Sequence, residues 1–150
     1  MYKLLWIAVL FTVTLFADFK VGDSFPDIFL SDQFGRSVKI ESSDRYVLMA
    51  FEKEVAMGIH EFITTQPKEF MSQQHIKYIS DVSAVPSFAF SMFALPNMKK
   101  YPFSVMLIKD DFGKHFEKRE GRVSVYRLNN KKITAIQFMN PKVLGTLFSN

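Results

Sequence analysis

RYVLMAFEKEVAMGIHEFI, residues 45–63, changes its hydrophobic period once, and that change decides the fold. Tyr46–Phe51 is an almost unbroken apolar run, the pattern of a strand covered on both faces. Glu52–Glu54 is a polar turn. Beyond it Met57, Ile59, Phe62 and Ile63 recur as one apolar stripe. The stripe predicts a helix over Ala56–Met71, with Pro67 dividing or ending it. A buried strand running directly into a helix is the building unit of an α/β domain.

Toward the C-terminus the same alternation repeats. Gln74–Val82, with Ile76, Tyr78, Ile79 and Val82, predicts a second strand. Pro86 can open a helix in which Phe88, Phe90, Met92, Phe93 and Leu95 are apolar almost all round. That distribution predicts a buried helix, ending at Pro96-Asn97. Tyr101-Pro102-Phe103 leads into a third strand, Ser104–Lys109, and a turn at Asp110-Asp111-Phe112-Gly113. Val123–Leu128 and Lys132–Phe138 predict a hairpin turning at Asn129-Asn130. Asn140 can cap a closing helix that begins with Pro141 and packs Val143, Leu144, Leu147 and Phe148.

Toward the N-terminus, Ile28 and Leu30, then Val38 and Ile40, alternate with polar residues around Asp32-Gln33-Phe34-Gly35. Two short strands around a turn are expected, with Gly35 supplying the positive φ. Met1–Ala17 carries one lysine and then an apolar run from Leu4 to Ala17. The run is shorter than the roughly 20 residues of a membrane span and suits a signal peptide. Residues 1–17 are therefore expected to be a signal segment and residues 18–150 one exported, periplasmic domain. Leu15 is bulky where a small residue is preferred before a cleavage site, so an uncleaved anchor near the membrane is the alternative.

The opening residues carry a resemblance. Val21, Gly22, Asp23, Pro26, Asp27, Leu30, Asp32, Gly35 and Val38 match the N-terminal hairpin motif of the peroxiredoxin and cytochrome-maturation branch of the thioredoxin superfamily. The order of elements over residues 19–149 is similar to that plan. The resemblance implies an α/β thioredoxin-like fold, a mixed central sheet flanked by helices, with an N-terminal β-hairpin. It also implies reactive cysteines at the turn after Tyr46–Phe51. Pro102 resembles in position the family's cis-proline.

Composition removes the family's chemistry. The chain contains no cysteine, which excludes disulfides, thiolate catalysis and thiolate metal sites. Sliding the family's Cys-x-x-Cys pattern onto residues 47–57 places Glu54 and Met57 near the two cysteine positions. Glu52 and Glu54 read as ordinary helix-start residues, since a carboxylate there gains about 0.3–1 kcal/mol. His60, His75 and His115 show no metal-ligand spacing, and no glycine-rich phosphate loop or nucleotide fingerprint is present. No cofactor and no metal are expected.

Charge is uneven but mild. Residues 18–98 carry 7 basic and 11 acidic side chains, and residues 99–150 carry 11 and 4, within a formal total of +4. That is too little to imply nucleic acid. Three functions follow from these residues. The first is a non-catalytic module that binds a protein or extended peptide through the former active-site face, made of Glu52, Glu54, Met57, Tyr101 and Pro102, with Met92 and Met98 adding flexible apolar surface. The second is a cysteine-independent enzyme using Glu54 and His60. The third is a structural subunit docking through its basic C-terminal half, including Lys99, Lys100, Lys131 and Lys132.

Overall fold

The computed structural model describes residues 18–149, so the signal segment expected at 1–17 lies outside the described residues. A five-stranded sheet is ordered β5-β4-β3-β6-β7. Its strands are β3 (Tyr46–Ala50), β4 (Ile76–Asp81), β5 (Met106–Ile108), β6 (Val123–Asn129) and β7 (Lys132–Met139). β3, β4 and β5 run parallel, while β6 is antiparallel to β3 and β7 to β6. The N-terminal hairpin, β1 (Leu30–Ser31) with β2 (Ser37–Val38), reaches the sheet through a bridge from Asp32 to Met106. β3 lies in the middle, as its apolar run requires, and Val47, Leu48, Met49 and Ala50 are all buried.

Strand alternation divides the core into two layers. Leu48, Ala50, Tyr78, Leu107 and Val125 point to a helical layer. That layer contains α1 (Lys53–Thr64), α2 (Phe70–Gln73) and the crossover between β4 and β5. Val47, Met49, Ile79, Ile108 and Tyr126 point to the other side. There the cover is extended chain: Phe19, Phe25 and Ile40 from the N-terminal segment, with Phe112 and Phe116 from the loop after β5. The N-terminal segment also pairs with the edge of β7, with Gly22 and Phe25 donating to the carbonyls of Ile133 and Lys131.

Several expectations are corrected in detail. Pro67 does divide the helical stretch, but α1 begins at Lys53 and ends at Thr64. The hairpin turns at Asn130-Lys131, one residue later than expected, with φ of 49° and 65°. Both turn residues are left-handed, as a two-residue turn matching the strand twist demands. The closing helix is a 3₁₀ turn, Pro141–Leu147, capped by the Asn140 side chain as expected.

The largest correction concerns the crossover. It comprises α3 (Ser87–Ala89), a π-helical turn over Phe90–Ala94, and α4 (Leu95–Met98), so it does not stop at Pro96. Proline clashes with the carbonyl four residues back in a regular helix. Here the preceding turn is widened, and the amide of Leu95 donates five residues back to Phe90. Nor is the segment buried all round: Phe90 and Met98 are in the core, while Phe88, Met92 and Phe93 are exposed. Among the described residues, no helix is long and apolar enough to cross a membrane.

Candidate functional site

The turn after β3 holds Glu52 in an extended conformation immediately before α1, with φ −135° and ψ 150°. Glu52 stands at the N-cap of α1, at the helix start, but its side chain makes no capping bond there. Instead its Oε1 accepts the amide of Gly121 at 2.9 Å. Glu54 lies in the first turn of α1, and Met57 follows one turn later with 58% of its surface exposed.

Along the outer side of α1 runs a shallow hollow of about 570 Å³. Glu54, Met57, Gly58, Glu61, Tyr101 and Pro141 line it. Met57 and Tyr101 thus line the same hollow. Met98 is not part of this surface, because it is buried. The floor depends on Gly58: a Cβ there would meet Pro141 Cβ at 2.5 Å, so only glycine lets the closing turn approach α1 this closely.

His60 belongs to the core rather than to an acid–base pair. Its Nε2 and the Tyr78 hydroxyl share a 2.9 Å hydrogen bond, and its ring lies 4.5 Å from that of Tyr101. Burial lowers its pKa to about 4, so it is neutral at pH 7. The same burial pushes the Tyr78 hydroxyl up. A neutral imidazole already engaged by Tyr78 offers poor general-base chemistry to Glu54. Among the described residues, no group of three metal-ligating side chains converges.

Pro102 is placed elsewhere. Every peptide bond in the described residues is trans, so the cis-proline resemblance fails. The topology explains it. Pro102 precedes β5, which runs parallel to β3, so it sits at the end of the sheet where β3 begins; Glu52 lies where β3 ends. Pro102 lines a different hollow, with Phe103, Ser104 and Met106.

The bend at Pro102 is held by Gln33, read from sequence only as a turn residue, and by Asp32, read as a turn and motif residue. Gln33 is 1% exposed. It donates to the Phe103 carbonyl at 2.6 Å and accepts the Val105 amide at 2.7 Å. In effect its amide group stands in for a missing strand neighbour. Asp32 accepts from the amides of Phe34 and Arg36, the Arg36 side chain and the Ser104 hydroxyl. Burial pushes its carboxyl up, but those donors outweigh burial and hold it below the usual range.

The segment that does face the turn is Lys118–Arg122, immediately before β6. Lys118 Nζ stands 5.3 Å from the centre of the Phe51 ring, and the Arg119 guanidinium 4.3 Å from that of Phe138. The basic excess of residues 99–150 was the only sequence signal for this loop, and it did not locate it. Nor do the lysines make one face. Lys99 and Lys100 follow α4 on the β5 side, whereas Lys131 and Lys132 are at the β6–β7 turn, where Lys131 pairs with Asp27 at 3.4 Å.

Comparison with known proteins agrees with this architecture. No protein-family profile matches the sequence, and no curated protein sequence does. Solved structures match in fold. The thioredoxin domain of a thiol-disulfide oxidoreductase from Bacteroides vulgatus aligns with a TM-score of 0.57 at 16% identity, covering 89% of this chain and all of that one. A peroxidoxin from Mycobacterium tuberculosis aligns at 0.57 with 12% identity, over 85% and 92% of the two chains. A thio-disulfide isomerase from Thermus thermophilus gives 0.51 with 18% identity, over 87% and 96%. Identities this low establish the fold alone, and the fold is thioredoxin-like, with a two-stranded hairpin ahead of the central sheet. Without cysteine, thiol-disulfide exchange is outside this chain's chemistry.

Proposed function

We propose that this is an exported, non-catalytic thioredoxin-like module that recognises a protein or an extended peptide through the face formed by the β3–α1 turn and the outer side of α1. One observation carries the reading. The helix that would present the reactive groups of such a fold instead borders an open groove floored by Gly58 and Pro141, with an exposed methionine on its wall. Glu54, Glu61 and Lys142 add charges to the lining, and the tethered, basic loop at Gly121 closes the turn end. Unbranched methionine adapts to varied apolar partners. Glu52, Glu54, Met57 and Tyr101 belong to this surface; Pro102 does not.

The test is affinity capture of binding proteins from the envelope fraction of native cells, using the intact domain and its Met57→Asp variant. Met57 is exposed, so the variant should melt with the parent. Selective loss of a captured protein by the variant supports the groove. Equal recovery with both would remove it.

A further inference from the structure

The outer side of the β4–β5 crossover is not used by the groove. Phe88, Met92 and Phe93 are 72%, 55% and 65% exposed. Phe90, Ala94, Leu95 and Met98 of the same segment pack into the core, so the element is apolar on both sides. Exposed apolar clusters of this kind mark interaction surfaces. Phe88, Met92, Pro96 and Lys100 follow one another at four-residue intervals and are all exposed. The segment is thus aromatic at its start and basic just past its end, where Lys99 and Lys100 are exposed.

Charge narrows the choice of occupant. From Val82 to Lys109 there is no acidic residue, and the only charges are Lys99, Lys100 and Lys109. Shape narrows it further. Phe88, Met92 and Phe93 line none of the three main hollows and protrude into solvent. A folded protein needs fixed, complementary contours to cover such a ridge. A fluid interface closes around protruding rings unaided, and lysines beside them suit an anionic headgroup layer.

We propose that this ridge docks on an anionic lipid surface, with Phe88, Met92 and Phe93 entering the boundary between headgroups and acyl chains and Lys99 and Lys100 lying against lipid phosphates. Lacking cysteine, the protein accepts a single label cleanly. The experiment uses the full chain carrying Met92→Cys, labelled with an environment-sensitive fluorophore, and a second protein labelled at Val143→Cys. Val143 is also exposed, on the closing turn, and reports any attachment made through other residues. Vesicles are phosphatidylcholine alone or mixed equally with phosphatidylglycerol.

With the mixed vesicles only, the label at 92 should shift to the blue and become shielded from an aqueous quencher, while that at 143 should not. Lys99→Glu with Lys100→Glu should weaken the partition at least about twenty-five-fold, from about fivefold per lysine lost. A label at 92 that behaves like the one at 143, or ignores anionic lipid, overturns the proposal. So does shielding that appears without vesicles as protein concentration rises, which would assign the ridge to a second copy. These readouts do not involve the groove at Met57, so the two readings stand or fall separately.

Discussion

At the scale of single residues, two positions carry tests of the packing. Gly58 lies in the interior of α1, where glycine costs about 1 kcal/mol relative to alanine. Gly58→Ala should nonetheless destabilise, because its Cβ would strike the rigid ring of Pro141. Overpacking of this kind costs about 1–3 kcal/mol, so urea melts should show a lower midpoint. His60 sets an acid limit. Its folded pKa of about 4 lies below the ordinary value of 6.5, so the unfolded chain takes up a proton that the folded one refuses. The stability tied to His60 is complete above about pH 6.5 and falls as pH drops toward 4, by an amount on the order of 3 kcal/mol. His60→Gln, which keeps a hydrogen-bonding group but cannot titrate there, should flatten that slope in melts between pH 4 and 6.5.

At the scale of elements, the β6–β7 turn offers a gain. Lys131 adopts φ 65°, which penalises any side chain, and its pairing is with an Asp27 carboxylate that is 71% exposed. Lys131→Gly should stabilise by about 0.5–1 kcal/mol and raise the melting temperature by a few degrees. Legibility in the sequence also differs by element. The β3–α1 unit, β4, the hairpins and the Asn140 cap were readable because period and turn chemistry are local signals. The crossover was misread because an all-apolar pattern says nothing about which side is covered. It was also misread because Pro96 looks like a stop unless the turn before it can widen. Pro102 was misplaced because strand order decides which loop lies beside the turn, and strand order is not written locally. The same non-locality hid the Glu52–Gly121 tether, which spans 69 residues, and the tie from Gln33 to Val105, which spans 72.

At the scale of the whole molecule, one side of the sheet is finished by helices and the other by the first strands and lead-in of the described chain. Phe25 is 2% exposed and touches Phe116 and Tyr126, with ring centres 5.6 Å and 5.9 Å apart. Phe25→Ala should therefore cost about 3–5 kcal/mol, visible as a large drop in the denaturation midpoint. The N-terminal segment grips the β6–β7 turn at Lys131 and β7 at Ile133, crosses the sheet, and meets β5 through Asp32. Its two anchor strands lie at opposite rims of the sheet and late in the sequence. A ribosome making this chain delivers the clasp long before the frame it fastens. The clasp must stay unlatched until nearly everything else has emerged, so closure is a late, long-range step of folding. Until then, one apolar side of the nascent domain is covered only in part, by Phe112 and Phe116.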